Sequence, residues 1–419
     1  MKSALAAGCW ISQSISASDF KPFLAMIKYI DEISLTNKRV FIRVDFNVPL
    51  TEDGKVADDS RIRACLPTIQ YALKNKAFVI AASHLGRPKG EKDPRFSLAP
   101  VAARLMELLQ IPEVTFPEDC VGDGVKKLSQ EMKPGQVMML ENLRFHKSEE
   151  QNEERFAKKL ASLCDVYIND AFGAAHRAHA STVGMVPFVK EKGAGFLMKR
   201  ELEFLSKIVA NPTRPFVALL GGAKVSDKIG VIENLLNRVD ALAIGGAMAY
   251  TFLAALGYKL GNSKIESDKI FTAKKVMERA QTKGIPLLLP LDHVITQKLD
   301  GSSATETTQN IGIPEGWMGV DVGPKTLEAF AKQLSIAKTV FWNGPVGVYE
   351  IEKFAQGTYN IAKTIAGLKA TTVIGGGDSA SAIAQFNLTD KITHISTGGG
   401  ASLEFIEGKI LPGLKALEI

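Results

Sequence analysis

Cysteine is scarce in this chain. The four that occur among 419 residues, Cys9, Cys65, Cys120 and Cys164, show no Cys-x-x-Cys spacing. That argues against a disulfide framework and a zinc site, and for free thiols in a reducing cytoplasm. Long apolar runs are lacking as well: no stretch approaches the ~18 to 20 unbroken apolar residues of a membrane span. No stripe of basic residues interleaved with aromatics is present, so a nucleic-acid-binding reading of the basic balance lacks its stacking platform. Three phosphate-handling signatures are also missing. There is no G-x-x-x-x-G-K-[ST] loop, no G-x-G-x-x-G with an acidic residue some twenty positions on, and no H-R-D-x-x-x-x-N loop. These absences disfavour an ordinary P-loop protein, a nicotinamide oxidoreductase and a protein kinase.

What is present is typical of a soluble globular chain, with 46% hydrophobic and 23% charged residues. The length calls for two or three domains. A formal net charge of +6 leans towards anionic partners. The first 26 residues differ from the rest. Their apolar run is short and interrupted, and Lys2 is the only charge before Asp19, so a secretory signal is weakly supported. "LAAGC" has the look of a lipoprotein cleavage site, but too short a segment precedes it. The expectation for residues 1–26 is a disordered extension, or a stretch upstream of a start at Met26.

From residue 38 onward, short β-branched runs alternate with helical patterns. "RVFIRVDF", "AFVIAASH", "QVMMLENL" and "CDVYINDAF" read as strands in the first half. "PFVALLGGAK", "VDALAIGGAM", "IPLLLPLDHV", "KTVFWNGPVG", "TTVIGGGDS" and "ITHISTGGG" do so in the second. Strands apolar on both faces and separated by helices imply parallel sheets covered on both sides. The expected fold class is α/β: two Rossmann-like three-layer α/β/α lobes with mainly parallel sheets, joined by a helix and hinge. Gly195 to Pro212 supplies that helix, with Leu197, Glu201, Leu205 and Ile208 at helical spacing. A crossover helix inside one large sheet is the alternative. The expected domains are 27–196 and 197–406.

Ligands of open parallel sheets bind beyond the carboxyl ends of the strands. In the first half those ends carry Asp45 and Asn47, then His84 and Arg87, then Arg144 and His146, then His176, Arg177 and His179, with Arg61 and Arg63 on a loop after the first strand. One arginine is ordinary surface; arginines recurring at separate strand ends suit a small, multiply anionic ligand. The second-half ends are rich in glycine, which lets backbone N–H groups and helix starts approach phosphates. Lys224 and Lys228, four apart, are expected to share one face at the start of a helix. Asp378 is a candidate magnesium ligand or, alternatively, a helix N-cap. An arginine-lined lobe and a nucleotide-like lobe point to phosphoryl transfer, and with no evident base the acceptor is better read as a carboxylate, already ionised at neutral pH.

The motifs "RVDFNVPL", "SHLGRP", "ENLRFH", "NDAFGAAHRAHAST", "GGAKVSDKI", "GIPEGWMGVDVGP", "FWNGPVGVYE", "GGGDSA" and "STGGGASLE" resemble the phosphoglycerate kinase family, in order, from about residue 27 to the C-terminus. The resemblance implies magnesium-dependent, reversible transfer between 1,3-bisphosphoglycerate and ADP, giving 3-phosphoglycerate and ATP after hinge closure. It implies a phosphoglycerate site at Asp45, Asn47, Arg61, His84, Arg87, Arg144 and Arg177. The implied nucleotide site is Lys224, Lys228, Gly319, Asn343, Glu350, Gly376, Gly377, Asp378 and Ser379, with Asp378 on the metal, Asn343 at the phosphates and Glu350 at the ribose. Arg61 and Lys224 would neutralise the phosphoryl group in flight, with Gly376 and Gly398 to Gly400, centred on Gly399, supplying N–H groups. Residues 407–419 would return to the first lobe. A cytoplasmic monomer with neither nucleic-acid nor membrane partners is expected.

Overall fold

The structure is a computed structural model that describes residues 22–419. The extension expected over residues 1–26 lies outside the described residues as far as residue 21, Cys9 included; beyond it Phe23 is buried and its carbonyl accepts from Met26 N at 3.1 Å. The chain divides into two compact units, one ending at Glu203 and taking in Lys409–Ile419, the other Phe204–Gly408.

The first unit is built on five parallel strands, β1 (Arg39–Arg43), β2 (Phe78–Ala82), β3 (Val137–Met139), β4 (Val166–Asn169) and β5 (Glu191–Ala194), ordered β3-β2-β1-β4-β5. Alternate residues of β1 and β2, Val40, Ile42, Val79 and Ala81, pack with Ile62, Ile69, Val101 and Leu105 from the helices Ser60–Lys74 and Ala99–Leu109. The opposite face is equally dry: Phe41 stacks on Tyr167 at 6.1 Å, and Ile80 and Met138 are fully buried. Burial on both faces is why these strands read as unbroken apolar runs. β5 escapes that signal because "EKGA" pairs through its backbone, Glu191 to Ala194 against Val166 to Asn169.

Residues 409–419 complete this unit. Ile27 bridges Glu418 antiparallel, Gly413 N donates to Ala175 O at 2.8 Å, and Leu411, Leu414 and Leu417 are fully buried. The helix Phe196–Ala210 begins in the first unit and ends in the second. At its start Phe196 N donates to Thr68 Oγ1 and Met198 N to Asp170 Oδ1. Burial pushes the Asp170 carboxyl up to about 7.

The second unit has six parallel strands ordered β14-β13-β12-β6-β7-β8. They are β6 (Phe216–Leu220), β7 (Ala241–Ile244), β8 (Leu287–Leu288), β12 (Thr339–Asn343), β13 (Thr371–Gly375) and β14 (His394–Ile395). A separate antiparallel sheet joins β9 (His293–Thr296), β10 (Thr305–Thr307) and β11 (Met318–Val322). "IPLLLPLDHV", read as one strand, is therefore two in different sheets. Pro290 lies between them and offers no N–H to continue a ladder, and the buried Asp292 turns to cap the helix Pro324–Ser335 through Lys325 N and Thr326 N.

Candidate active site

In the first unit β3, β2, β1 and β4 are neighbours and all parallel, so the residues that follow them gather at one sheet edge. His84 follows β2, Asp45 follows β1, Arg144 follows β3 and Arg177 follows β4. Arg61 stands in the first turn of the helix Ser60–Lys74 rather than on a loop. Its Nη1 donates to Asp45 Oδ2 at 2.7 Å. Arg63, on the same turn, pairs with Asp59 and is ordinary surface. Asn47 Oδ1 accepts from Gly86 N, and Arg144 Nη1 donates to Gly86 O, both at 2.8 Å, so the "HLGR" turn is held on two sides. Arg87 projects into solvent from that turn. Arg177 Nε donates to His176 Nε2 at 3.2 Å.

Electrostatics show how crowded with cations this edge is. Burial, reinforced by Arg43, Arg144, Arg177 and His179, holds the His84 imidazole well below its usual range. Burial and then Arg177 lower His176 to about 4, and burial and then Arg43 lower His179 to about 3. Even Arg144 is brought down to about 10, by burial and then by Arg177. Asp45 Oδ1 and Arg144 Nε are among the buried polar atoms here that lack a hydrogen-bond partner; the latter lies 3.3 Å from Glu150 Oε1 without the alignment of a hydrogen bond. Such orphans are costly, and a small polyanion with hydroxyl groups would satisfy both the atoms and the field.

The sequence missed one member of this set. Arg43 is 1% exposed, and its Nε donates to Ser181 Oγ at 2.8 Å while Nη2 lies 3.3 Å from His84 Nδ1. A lone arginine inside the apolar run "RVFIRVDF" was the available signal. Conversely His146 turns away, to Asp119 Oδ1 at 2.7 Å. With Cys120 these residues form a compact Asp/Cys/His group. The His146–Asp119 contact brings two of the three together, and burial pushes the Cys120 thiol far above its usual range.

In the second unit β14, β13, β12 and β6 are neighbours, and their ends form the corresponding edge. Lys228 Nζ donates to Asn343 Oδ1 at the end of β12. Burial lowers its ammonium to about 8, against the opposing pull of Asp378 and Asp227. Lys224 is exposed. The helix begins only at Ile229, with Lys228 as its N-cap, so the two lysines do not share a helical face. The turn between them is pinned by Glu266, which accepts from Ser226 N and Ser226 Oγ.

The glycines fall into two groups. A Cβ on Gly221 would lie 2.2 Å from Pro345 O, on Gly246 2.6 Å from Gly222 N, and on Gly344 2.3 Å from Gly221 O. Those three serve the packing of loops against each other. Gly377 and Gly399 face open space. Gly376 (φ +91°) and Gly399 (φ +51°) are the N-caps of the helices Gly377–Gln385 and Gly400–Ile406, and no side chain caps either. Two sets of unfilled N–H groups thus stand on adjacent strands.

Asp378 is the second residue of its helix, exposed, and not the N-cap. Its carboxylate has no hydrogen bond or ion pair among the described residues and is felt by Lys228 and Tyr349. This suits magnesium, which commonly takes one or two carboxylates plus phosphate oxygens. Glu350 is exposed beside Tyr349, whose hydroxyl is raised by burial, then by Glu350 and Asp378. Ser379 Oγ is turned inward, accepting from Gly344 N at 2.5 Å. Gly319 lies on β11, where a Cβ would meet Tyr250 Oη at 1.9 Å.

Comparison with known proteins identifies the family. The family model described as phosphoglycerate kinase matches residues 30–409. The phosphoglycerate kinase of Anaeromyxobacter sp. (strain Fw109-5) is 57% identical over 394 residues, covering 94% of this chain and 99% of that protein. That of Clostridium novyi is 55% identical over 392 residues, covering 93% and 98%. Among solved structures, phosphoglycerate kinase from Coxiella burnetii matches with a TM-score of 0.84 at 43% identity, and that from Pyrococcus horikoshii with 0.82 at 35%; each covers 93% of this chain and 98% of the other. A match across nearly the whole length means that the chain belongs to the phosphoglycerate kinase family.

Proposed function

We propose a residue assignment for the activity that family membership carries. The chain is a phosphotransferase with a carboxyl group as acceptor, moving a phosphoryl group reversibly between 1,3-bisphosphoglycerate and ADP. In the assignment, Arg61, Arg87, Arg144 and Arg177 take the phosphate and carboxylate oxygens of phosphoglycerate, while Asp45, Asn47 and His84 orient its remaining polar groups. The observation that carries this is the cation-crowded edge with the unpartnered Asp45 Oδ1 and Arg144 Nε.

The nucleotide is assigned to the second unit. Lys224, Lys228, Asn343 and the open starts at Gly376, Gly377 and Gly399 take its phosphates, Ser379 contributes through its backbone, and Glu350 and Gly319 serve the nucleoside end. Asp378 would hold magnesium, which when bound supplies positive charge to the phosphate oxygens. Arg61 and Lys224 neutralise the group in flight, so the chemistry is positioning and charge neutralisation with no side-chain base. Transfer follows closure of the two lobes. The enzyme is further assigned as a cytoplasmic monomer. Among the described residues no helix is long and apolar enough to cross a membrane, and Cys65, Cys120 and Cys164 are free thiols.

A coupled assay with 3-phosphoglycerate and Mg-ATP, omitting each substrate in turn, tests the reaction. Lys224→Ala is expected to lower turnover by about 100-fold or more, the scale of losing one transition-state charge contact, with a modest change in ADP affinity. Arg177→Ala should weaken 3-phosphoglycerate and spare ADP. Unchanged turnover in the first variant, or equal loss of both ligands in the second, would remove the residue from its role.

A further inference from the structure

Behind the phosphoglycerate edge lies a buried carboxylate that the assignment leaves unused. Glu149 is 0% exposed. Both of its oxygens accept from one residue: Oε1 from Ser181 Oγ at 2.5 Å and Oε2 from Ser181 N at 3.0 Å. Ser181 Oγ in turn accepts from Arg43 Nε at 2.8 Å. Arg43 also donates to Val44 O, and its Nη2 stands 3.3 Å from His84 Nδ1. His84 Nδ1 is 3.7 Å from Asp45 Oδ1, and Asp45 Oδ2 receives Arg61 at 2.7 Å. The hydrogen-bonded series runs from a dry carboxylate through Ser181 and Arg43 to His84, and His84 stands against the Asp45 carboxylate that holds Arg61.

A buried guanidinium needs a countercharge, yet among the described residues no carboxylate pairs with Arg43 directly. Glu149 reaches it through the Ser181 hydroxyl, which has one proton to donate and lone pairs to accept with. Because the proton goes to Glu149, the lone pairs are left facing Arg43, and the guanidinium plane is fixed. We propose that Glu149 and Ser181 are positioning residues for the phosphoglycerate half-site, holding Arg43 and through it His84, which packs against the Asp45–Arg61 pair that receives the substrate. The inference rests on the assignment of Asp45, His84 and Arg61 to that site.

Glu149→Gln keeps the shape but offers one acceptor where two are used, so Ser181 Oγ must accept from both sides and its proton loses its partner. Ser181→Ala removes a single oxygen from the same line. Each is expected to raise the KM for 3-phosphoglycerate by about tenfold, the scale of one hydrogen bond to a charged group, with the KM for ATP unchanged. The double variant should show the same tenfold rather than about 100-fold, because both changes break one connection.

Ser181→Ala is the smaller perturbation and keeps the test open if Glu149→Gln folds poorly. Arg61→Ala, measured alongside, separates the two levels of the argument. If Arg61→Ala leaves 3-phosphoglycerate binding intact, the site assignment fails. If Arg61→Ala abolishes binding while Ser181→Ala leaves the KM unchanged, raises both KM values together, or multiplies with Glu149→Gln, the positioning role alone is overturned.

Discussion

At the scale of single residues, the two edges handle charge differently. The edge of the first unit, assigned above to phosphoglycerate, gathers fixed guanidinium cations and depresses the imidazoles among them. The nucleotide edge has a lysine whose protonation is itself adjustable. Lys228, lowered to about 8 by burial, loses its proton in the free enzyme as pH rises through that value. A bound polyphosphate favours the charged form, so nucleotide binding should take up a proton between about pH 8 and the usual lysine range near 10.4. Affinity for ADP should fall as pH rises past about 8. Calorimetry in buffers of different ionisation enthalpy reads the uptake directly, and Lys228→Met should abolish it; absence of uptake in the parent protein would place the phosphates elsewhere.

Residue chemistry was only partly legible in advance. The arginines and histidines at strand ends could be read because each follows an apolar run. Arg43 left only the weak signal of a charge inside an apolar strand, and Glu149 left none, looking like a helix-surface acid in "HKSEEQNEE"; the fold shows that both are dry.

Among elements, the parallel strands with unbroken apolar runs were legible, and those relying on backbone pairing were not. β5 has too little apolar surface to announce itself, and β10, "TET", belongs to a sheet whose partners lie on either side of it in sequence. The glycine-rich turns looked alike as sequence and separate by function once their surroundings are known. Gly344→Ala must fit a Cβ 2.3 Å from Gly221 O at φ +91°, and should destabilise the second unit by roughly 1–3 kcal/mol or more. Gly377→Ala, with open space around it, should leave stability within about 0.5 kcal/mol while weakening ADP. Denaturant midpoints and ADP titrations on the two variants check the division; equal effects of both kinds would refute it.

For the whole molecule, the main division of labour is between a first unit that is discontinuous in sequence and a second that is continuous. Removing residues 409–419 takes away Leu411, Leu414 and Leu417, all fully buried, worth an upper limit of roughly 5–9 kcal/mol at about 1.5–3 kcal/mol each. That is comparable to the whole stability of an ordinary domain. The truncated chain should therefore lose 3-phosphoglycerate binding and retain ADP binding. Calorimetry with each ligand decides, and retention of both would show that the tail adds little.

The same tail sets an order on synthesis. Residues 409–419 leave the ribosome only after all of the second unit has been made, so the first 200 residues wait as an incomplete core while a later one, continuous in sequence, finishes. The half of the enzyme made first is the half completed last, and an interrupted translation product would expose the floor of that waiting core to whatever chaperone or protease is near.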